Sequence, residues 1–307
     1  GQVGRSVATD VDADLGAIVT HELRAIAAGA DHSPAVCWQQ GVRRLRGFTV
    51  ASESPAWTPG DGDTILVTGG TRGIGAQLAG RLAAMGARVL LVGRSAPADD
   101  AATLGPHLQV DVTDREALLA AAAPYAPITG VVHAAGVLAD GALGEVDPEK
   151  GALARRVKVE GWLNALATAA GSLKGAVAVG SWAGRFGNRH QAHYAAGNAL
   201  CAALTPEGAV VSEFGPWTDS EMVRTIPAAV QAAMRAEGID FVGPEAGMEA
   251  LLHDLSTGTG VRTRGRALPF RDRVAERTMT LSVAEHPYLA DHAIEGTPVL
   301  PLAGATD

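Results

Sequence analysis

The sequence predicts an α/β fold built on a doubly wound parallel sheet, and three observations predict it. Ile65-Leu66-Val67-Thr68 is a short apolar and β-branched run that ends in a glycine cluster, Gly69-Gly70-Thr71-Arg72-Gly73-Ile74-Gly75. Ile74, Leu78, Leu82 and Met85 then recur at helical spacing, so the segment reads as strand, tight turn and helix. Apolar strands alternate with longer amphipathic stretches from Asp63 to about Arg264, the pattern of repeated β-α units whose ligands meet at the carboxyl ends of the strands.

Before this core, Leu15 to Ala28 has helical spacing, and Ala35 to Val50 contains a strand carrying Arg43, Arg44 and Arg46. Ser52 to Gly62 is rich in Ser, Pro, Gly and Asp and reads as a linker. With 307 residues, 47% of them hydrophobic, the chain can bury one large core plus flanking pieces. No run reaches the ~20 apolar residues of a membrane span and no secretory leader opens the chain, so a cytoplasmic location is expected, without membrane contact. Two cysteines, Cys37 and Cys201, define no disulfide framework, and both are expected to be reduced and buried. The formal charge of -8 argues against nucleic acid. The nine histidines show no metal-ligand spacing, and His190 and His193 are expected to line the site or the surface. Arg262, Arg264, Arg266, Arg271 and Arg273 follow the last expected strand and read as a solvated linker.

Glycines at 69, 73 and 75 allow the backbone of the Gly69–Gly75 loop, with Thr71, Arg72 and Ile74, to approach a pyrophosphate. Its charge would meet the free amides and positive end of the following helix. The next strand reads Ala87 to Ser95 and places Arg94 nineteen positions beyond Gly75. A carboxylate near this point would suit the ribose hydroxyl of NAD, whereas the planar fork of Arg94 suits a 2′-phosphate, so NADPH is the expected cofactor. Arg72 offers a second contact, and Asp111-Val112 would lie beside the adenine. Gly130-Val131-Val132-His133-Ala134-Ala135-Gly136 is another buried strand ending in small residues, which places Ala134 and Gly136 toward the nicotinamide.

Four further residues suggest acid-base chemistry. A tyrosine, with an ordinary pKa of ~10, needs a nearby ammonium to favour its phenolate near neutrality. Tyr194 and Asn198 share a helix face, but an amide stands where a lysine would be expected, and Lys158 offers the charge from the neighbouring helix. Ser181 ends the strand Val177 to Ser181, where a hydroxyl can face Tyr194 and donate to a substrate carbonyl.

The stretch from about Asp63 to Arg264 resembles the catalytic half of a ketoreductase domain of a type I polyketide synthase, within the Rossmann-like short-chain dehydrogenase/reductase superfamily. The matching segments are Val67 to Gly75, His133 to Leu138, Lys158 to Gly161, Ser181 to Gly184 and Tyr194 to Ala199, in family order and spacing. The resemblance implies a tetrad: Tyr194 as proton donor, Lys158 lowering its pKa, Ser181 orienting the ketone and Asn198 supporting a proton relay. Leu138-Ala139-Asp140 is similar to the signature of reductases giving a 3R alcohol, and Phe186 stands where the opposite type usually has tryptophan. Trp217 and Met222 fall in the segment that resembles the family's substrate lid, although either fits a plain core residue equally well.

The resemblance implies NADPH-dependent reduction of a β-ketoacyl chain held on the phosphopantetheine arm of an acyl carrier protein, whose docking would have to be local given the acidic chain. At the carboxyl end, His292, Gly296 and Pro301 resemble the opening of a hot-dog-fold dehydratase. A synthase cut before its next domain is therefore expected, of an iterative polyunsaturated-fatty-acid or enediyne type, and Gly1 in place of methionine agrees with a fragment. The expected divisions are a partial structural subdomain and linker over 1–62, the NADPH-binding catalytic domain over 63–265, and a linker with the start of the dehydratase-like segment over 266–307. Two other readings use the same fold: a free-standing reductase of small ketones, and a reductase-like structural module without chemistry.

Overall fold

The structure is a computed structural model that describes residues 6–9, 14–27, 35–40, 42–45, 54–98, 101–142, 144–188, 190–224, 226–236, 239, 241–258, 260–264, 293–294 and 297–298. The chain forms two compact units, residues 1–50 with 273–307, and residues 51–272.

In the smaller unit, β1 (Ser6–Thr9) pairs in parallel with β2 (Ala35–Gln39), which pairs antiparallel with β3 (Val42–Leu45), and α1 spans Leu15–Ala27. The single strand expected over Ala35 to Val50 is thus a hairpin, because Gln40 adopts a positive φ of 53° and reverses the chain. Buried Glu22 of α1 accepts hydrogen bonds from Trp38 Nε1 at 2.7 Å and from Arg43 at 2.7 and 2.9 Å. Strand alternation also corrects one expectation: Val36 is buried, so Cys37 is turned out and exposed, while Cys201 is buried as expected.

The larger unit carries, in chain order, β4 (Thr64–Thr68), α2 (Gly73–Ala84), β5 (Arg88–Gly93), β6 (His107–Gln109), α3 (Arg115–Ala122), β7 (Gly130–His133), α4 (Pro148–Ala167), β8 (Gly175–Ser181), α5 (Ala183–Phe186) and α6 (Ala192–Ala203). It continues through β9 (Val210–Phe214), α7 (Glu221–Arg224), α8 (Ala228–Ala236), α9 (Pro244–Thr257) and β10 (Gly260–Arg264). The strands form one seven-stranded sheet in the order β10-β9-β8-β7-β4-β5-β6, parallel throughout. Ile65 and Val67 of β4 and Val89 and Leu91 of β5 pack with Leu78 and Leu82 of α2 and Leu251 and Leu255 of α9. Leu66, Leu90 and Val92 face the opposite way, toward Leu118 of α3, Val157 and Trp162 of α4 and Cys201 of α6. Both faces are covered, which is why these strands read as continuous apolar runs. Helices α4 and α6 approach closely at Gly197, where a Cβ would stand 3.4 Å from both Arg155 Cα and Lys158 Cβ.

Two segments read as linker turn out to be structural in this unit. Trp57 packs against Gly130 and Gly175 and donates to Asp63 Oδ2 at 3.1 Å, while Ala56 N–H bonds Ser256 O at 2.9 Å. Arg262 and Arg264 lie within strand β10 rather than beyond it, and both pair with the fully buried Asp254 of α9. Arg266, Arg271 and Arg273 lie outside the described residues. Separately, β11 (Ala293–Ile294) and β12 (Thr297–Pro298) make a short antiparallel pair. His292, Gly296 and Pro301 lie outside the described residues. Among the described residues no helix is long and apolar enough to cross a membrane, and no group of His, Cys, Asp and Glu could hold a metal ion.

Candidate active site

The sheet order reverses between β4 and β7, so the crevice beyond their carboxyl ends is where a doubly wound sheet binds its ligand. The loop after β4 is shaped for close backbone approach. Gly69 has φ +68°, and a Cβ there would stand 2.7 Å from Ala135 N and 2.8 Å from the Ala134 carbonyl carbon. A Cβ on Gly75 would meet Gly69 O at 2.2 Å. Helix α2 starts at Gly73, and its N-cap, Arg72, makes no side-chain cap, which leaves the first amides available to an anion. Thr71 is buried under Gly93, while Arg72, Arg94 and Ser95 are exposed around the loop. Arg94 lies 3.9 Å from Asp111, an exposed ion pair weak enough to leave the guanidinium free for a phosphate. Burial raises the Asp111 pKa, but hydrogen bonds from Thr113 N and Oγ1, each 2.9 Å, and the charge of Arg94 bring it below the usual carboxylate range. Asn164 donates to Val112 O at 2.9 Å and ties this segment to α4. These residues fit a dinucleotide with a phosphorylated ribose.

The acid-base residues come from three elements. Ser181 ends β8, and its Oγ accepts from Ala183 N–H at 3.2 Å, so the hydroxyl proton is left to donate elsewhere. Tyr194 and Asn198 sit one turn apart on α6, where Asn198 Nδ2 donates to the Tyr194 carbonyl at 2.9 Å. Asn198 Oδ1 is buried without a hydrogen-bond partner among the described residues. Burial holds the Tyr194 phenol above its ordinary range, opposed by hydrogen bonds to Ser181 and Asn198 and reinforced by the charge of Asp140. Lys158, 7% exposed on α4, donates to Val179 O at 2.5 Å, so its ammonium is anchored to the strand that carries Ser181. Burial lowers its pKa. Burial also pushes the Cys201 thiol up to about 11, although the Lys158 charge pulls it down. His133 is fully buried at the end of β7, with Nδ1 2.7 Å from Thr68 Oγ1. Burial, and then the charge of Lys158, holds its pKa well below the usual histidine range, so the ring is neutral.

The remaining sequence candidates divide. Leu138, 43% exposed, and Asp140 lie on the loop after β7, close to Ala134 and Gly136. Phe186 is half-buried at the end of α5. Trp217 is a core residue: it is 6% exposed, edge-on to Phe214 at 5.0 Å, and seated over Gly247. Met222 falls in α7, and its side chain lies outside the described residues. Of the two histidines beside Tyr194, His190 is exposed and His193 is engaged by Arg155 Nη1 at 2.8 Å. Gln191, absent from the sequence candidates, is buried and donates to Asp140 Oδ2 at 2.9 Å. Its position three residues before Tyr194 was the available signal, but its partner is remote in the chain.

This sheet order and the glycine loop after β4 are those of the short-chain dehydrogenase/reductase fold, and the class is that of an oxidoreductase. Residues 63–209 match the family model of the KR domain. Polyketide synthase GfsA of Streptomyces halstedii is 34% identical over 239 residues, covering 70% of this chain and 3% of that protein. The ketoreductase PlmKR1, from the first module of phoslactomycin biosynthesis in Streptomyces sp. HK803, is 32% identical with a TM-score of 0.62, over 76% of this chain and 60% of that one. An A1-type ketoreductase is 28% identical with a TM-score of 0.67, over 85% of this chain and 59% of that one. Over residues 63–209, a little under half of the chain, it is similar to the ketoreductase (KR) domains found in polyketide synthases.

Proposed function

We propose that this ketoreductase uses NADPH to reduce a β-ketoacyl thioester, carried on an acyl carrier protein by neighbouring synthase domains, to the 3R β-hydroxyacyl product. What supports the reading is that Tyr194 interacts with Ser181 and Asn198, while Lys158 is held against Val179 of the strand that ends in Ser181. Gly69, Thr71, Arg72, Gly73, Ile74 and Gly75 would hold the pyrophosphate, Arg94, Ser95 and Arg72 the 2′-phosphate, Asp111 and Val112 the adenine, and Ala134 and Gly136 the nicotinamide side. The chemistry that NADPH supplies when bound is hydride delivery to the carbonyl carbon. Tyr194 gives its proton to the carbonyl oxygen; its phenol, raised by burial above the ordinary ~10, carries that proton at neutral pH. Ser181 donates a hydrogen bond to the same oxygen and stabilises the charge that grows on it. Lys158 and Asn198 support return of the proton to Tyr194.

The hand of the product rests on Leu138 and Asp140, with Phe186 in place of a tryptophan. Likeness to an A1-type ketoreductase favours a second reading, in which this chain shares that relative's type. The dehydratase-like tail supports a following dehydratase domain as partner, in a synthase of the iterative type. The test follows NADPH oxidation by the purified chain with a short β-ketoacyl thioester and resolves the product on a chiral column. A 3R alcohol is expected, and Tyr194→Phe is expected to abolish turnover while NADPH binding stays nearly intact. Undiminished activity in that variant, or reduction of simple ketones with none of carrier-bound thioesters, overturns the reading.

A further inference from the structure

Two segments near Tyr194 share no sheet ladder: residues 136–142 after β7, and residues 187–188 with 190–191 before α6. Gln191 joins them. Its side chain, 9% exposed, donates from Nε2 to Asp140 Oδ2 at 2.9 Å and accepts at Oε1 from Asn188 Nδ2 at 2.8 Å. An ionised carboxylate only accepts and an Nδ2 group only donates, so the two partners settle which way the amide faces. A backbone bond, Gly141 N–H to His190 O at 2.8 Å, runs beside it, and Gly141 has φ +154°. Gln191 O also accepts from Ala195 N–H at 2.8 Å in the first turn of α6. Gln191 and Tyr194 are three residues apart on that helix end, which puts them on neighbouring faces.

We propose that Gln191 is a positioning residue that clamps the Asp140 loop to the amino-terminal end of α6, and thereby sets how the ketone is presented to Tyr194. The inference rests on the ketoreductase reading for its stereochemical consequence only. Asp140 is the charged side chain whose field the phenol feels, and His193, next to Tyr194, is engaged instead by Arg155 of α4. Lys158 of α4 is held at Val179 O, and Cys201 lies two turns further along α6. Without the amide, Asp140 loses its buried donor and hydrates, and the loop that carries Leu138 is released.

The experiment uses the full chain and four variants: Gln191→Ala, Gln191→Glu, Asp140→Asn, and the double change Gln191→Glu with Asp140→Asn. Gln191→Glu opposes two carboxylates, whereas the double change lets the introduced amide donate to the introduced carboxylate and restores the bond with its polarity reversed. Two readouts are taken, the ratio of β-hydroxy enantiomers and the alkaline titration of the Tyr194 phenol, isolated by subtracting Tyr194→Phe. The enantiomer ratio is expected to fall about fivefold to tenfold in Gln191→Ala, the scale of one or two lost hydrogen bonds, to fall further in Gln191→Glu, and to recover in the double change. Gln191→Ala and Asp140→Asn are each expected to lower the phenol midpoint. An unchanged ratio and midpoint in Gln191→Ala, or a double change no better than Gln191→Glu, overturns the assignment. The titration needs no turnover, so a chain that reduces no ketone yet shows these midpoint shifts would keep the clamp and lose the ketoreductase reading.

Discussion

Replacing Gly69 by alanine separates two costs that a glycine loop usually confounds. Gly69 and Gly73 both have positive φ, +68° and +57°, so an alanine at either incurs the left-handed backbone penalty of ~1–2 kcal/mol. Only at Gly69 is there also an obstacle. Its Cβ would lie 2.7–2.9 Å from the backbone of Ala134 and Ala135, and backbone cannot swing aside as a flexible side chain can, whereas nothing lies within 4 Å of a Cβ on Gly73. Overpacking of that kind adds ~1–3 kcal/mol. Gly69→Ala should therefore destabilise the chain by ~2–5 kcal/mol and Gly73→Ala by ~1–2 kcal/mol. At ~2–4 °C per kcal/mol for a domain of this size, the melting temperature of the cofactor-free chain falls by about 4–20 °C in the first and about 2–8 °C in the second. Relieving the overlap also moves the cradle by several tenths of an ångström, so NADPH affinity, followed by nicotinamide fluorescence, should weaken about tenfold or more in Gly69→Ala. Equal melting temperatures for the two variants would refute the steric argument, because the φ penalty is common to both.

Arg94→Ala should raise the Kd for NADPH about tenfold and leave that for NADH unchanged, since only the former carries the 2′-phosphate; parallel titrations that shift together would remove Arg94 from that role. The raised Tyr194 pKa gives a signed pH profile: kcat for reduction stays flat through neutrality and falls only where alkaline pH removes the phenol proton, above the ordinary ~10. A decline beginning near pH ~7 would assign the proton to another group. Asp63 receives hydrogen bonds from Lys174 at 2.8 Å, Thr129 at 2.9 Å and Trp57 at 3.1 Å, and these outweigh burial to hold its pKa below 3.8. Its stabilisation is thus present above that value and lost as pH falls through the lowered folded-state pKa. Discounting the half-exposed Lys174, Asp63→Asn should cost ~1–3 kcal/mol at neutral pH in denaturant titrations, with the gap to the parent chain closing in acid.

What could be read from the sequence is what chemistry writes locally. Strand-turn-helix at Ile65 to Met85 and the pairing of Tyr194 with Asn198 depend on spacings within one or two turns, and the structure keeps them. Helix α1 likewise followed from period alone. The strand β10 did not: Gly260-Val261-Arg262-Thr263-Arg264 is too polar to read as buried, and it becomes so because Asp254 on α9 neutralises two of its arginines. Trp57 lay in a run whose composition says linker, yet the missing side chains of Gly130 and Gly175 open its seat. Trp217, a possible lid anchor or core residue by sequence, is committed to the core by Phe214 and Gly247.

The amino-acid sequence by itself determined the class of fold and the glycine turn between β4 and α2, because each is encoded by residue type at short spacing, whereas the four acid-base residues were proposed from a family resemblance. Only the tertiary structure decided that Lys158 is anchored on Val179 O, that Tyr194 is raised by burial, and that Gln191 holds Asp140. The two hydrogen bonds among them join groups 21 and 51 residues apart in the chain, and distances of 2.5 and 2.9 Å between such groups are set by how α4 and α6 pack on the sheet rather than by any local pattern.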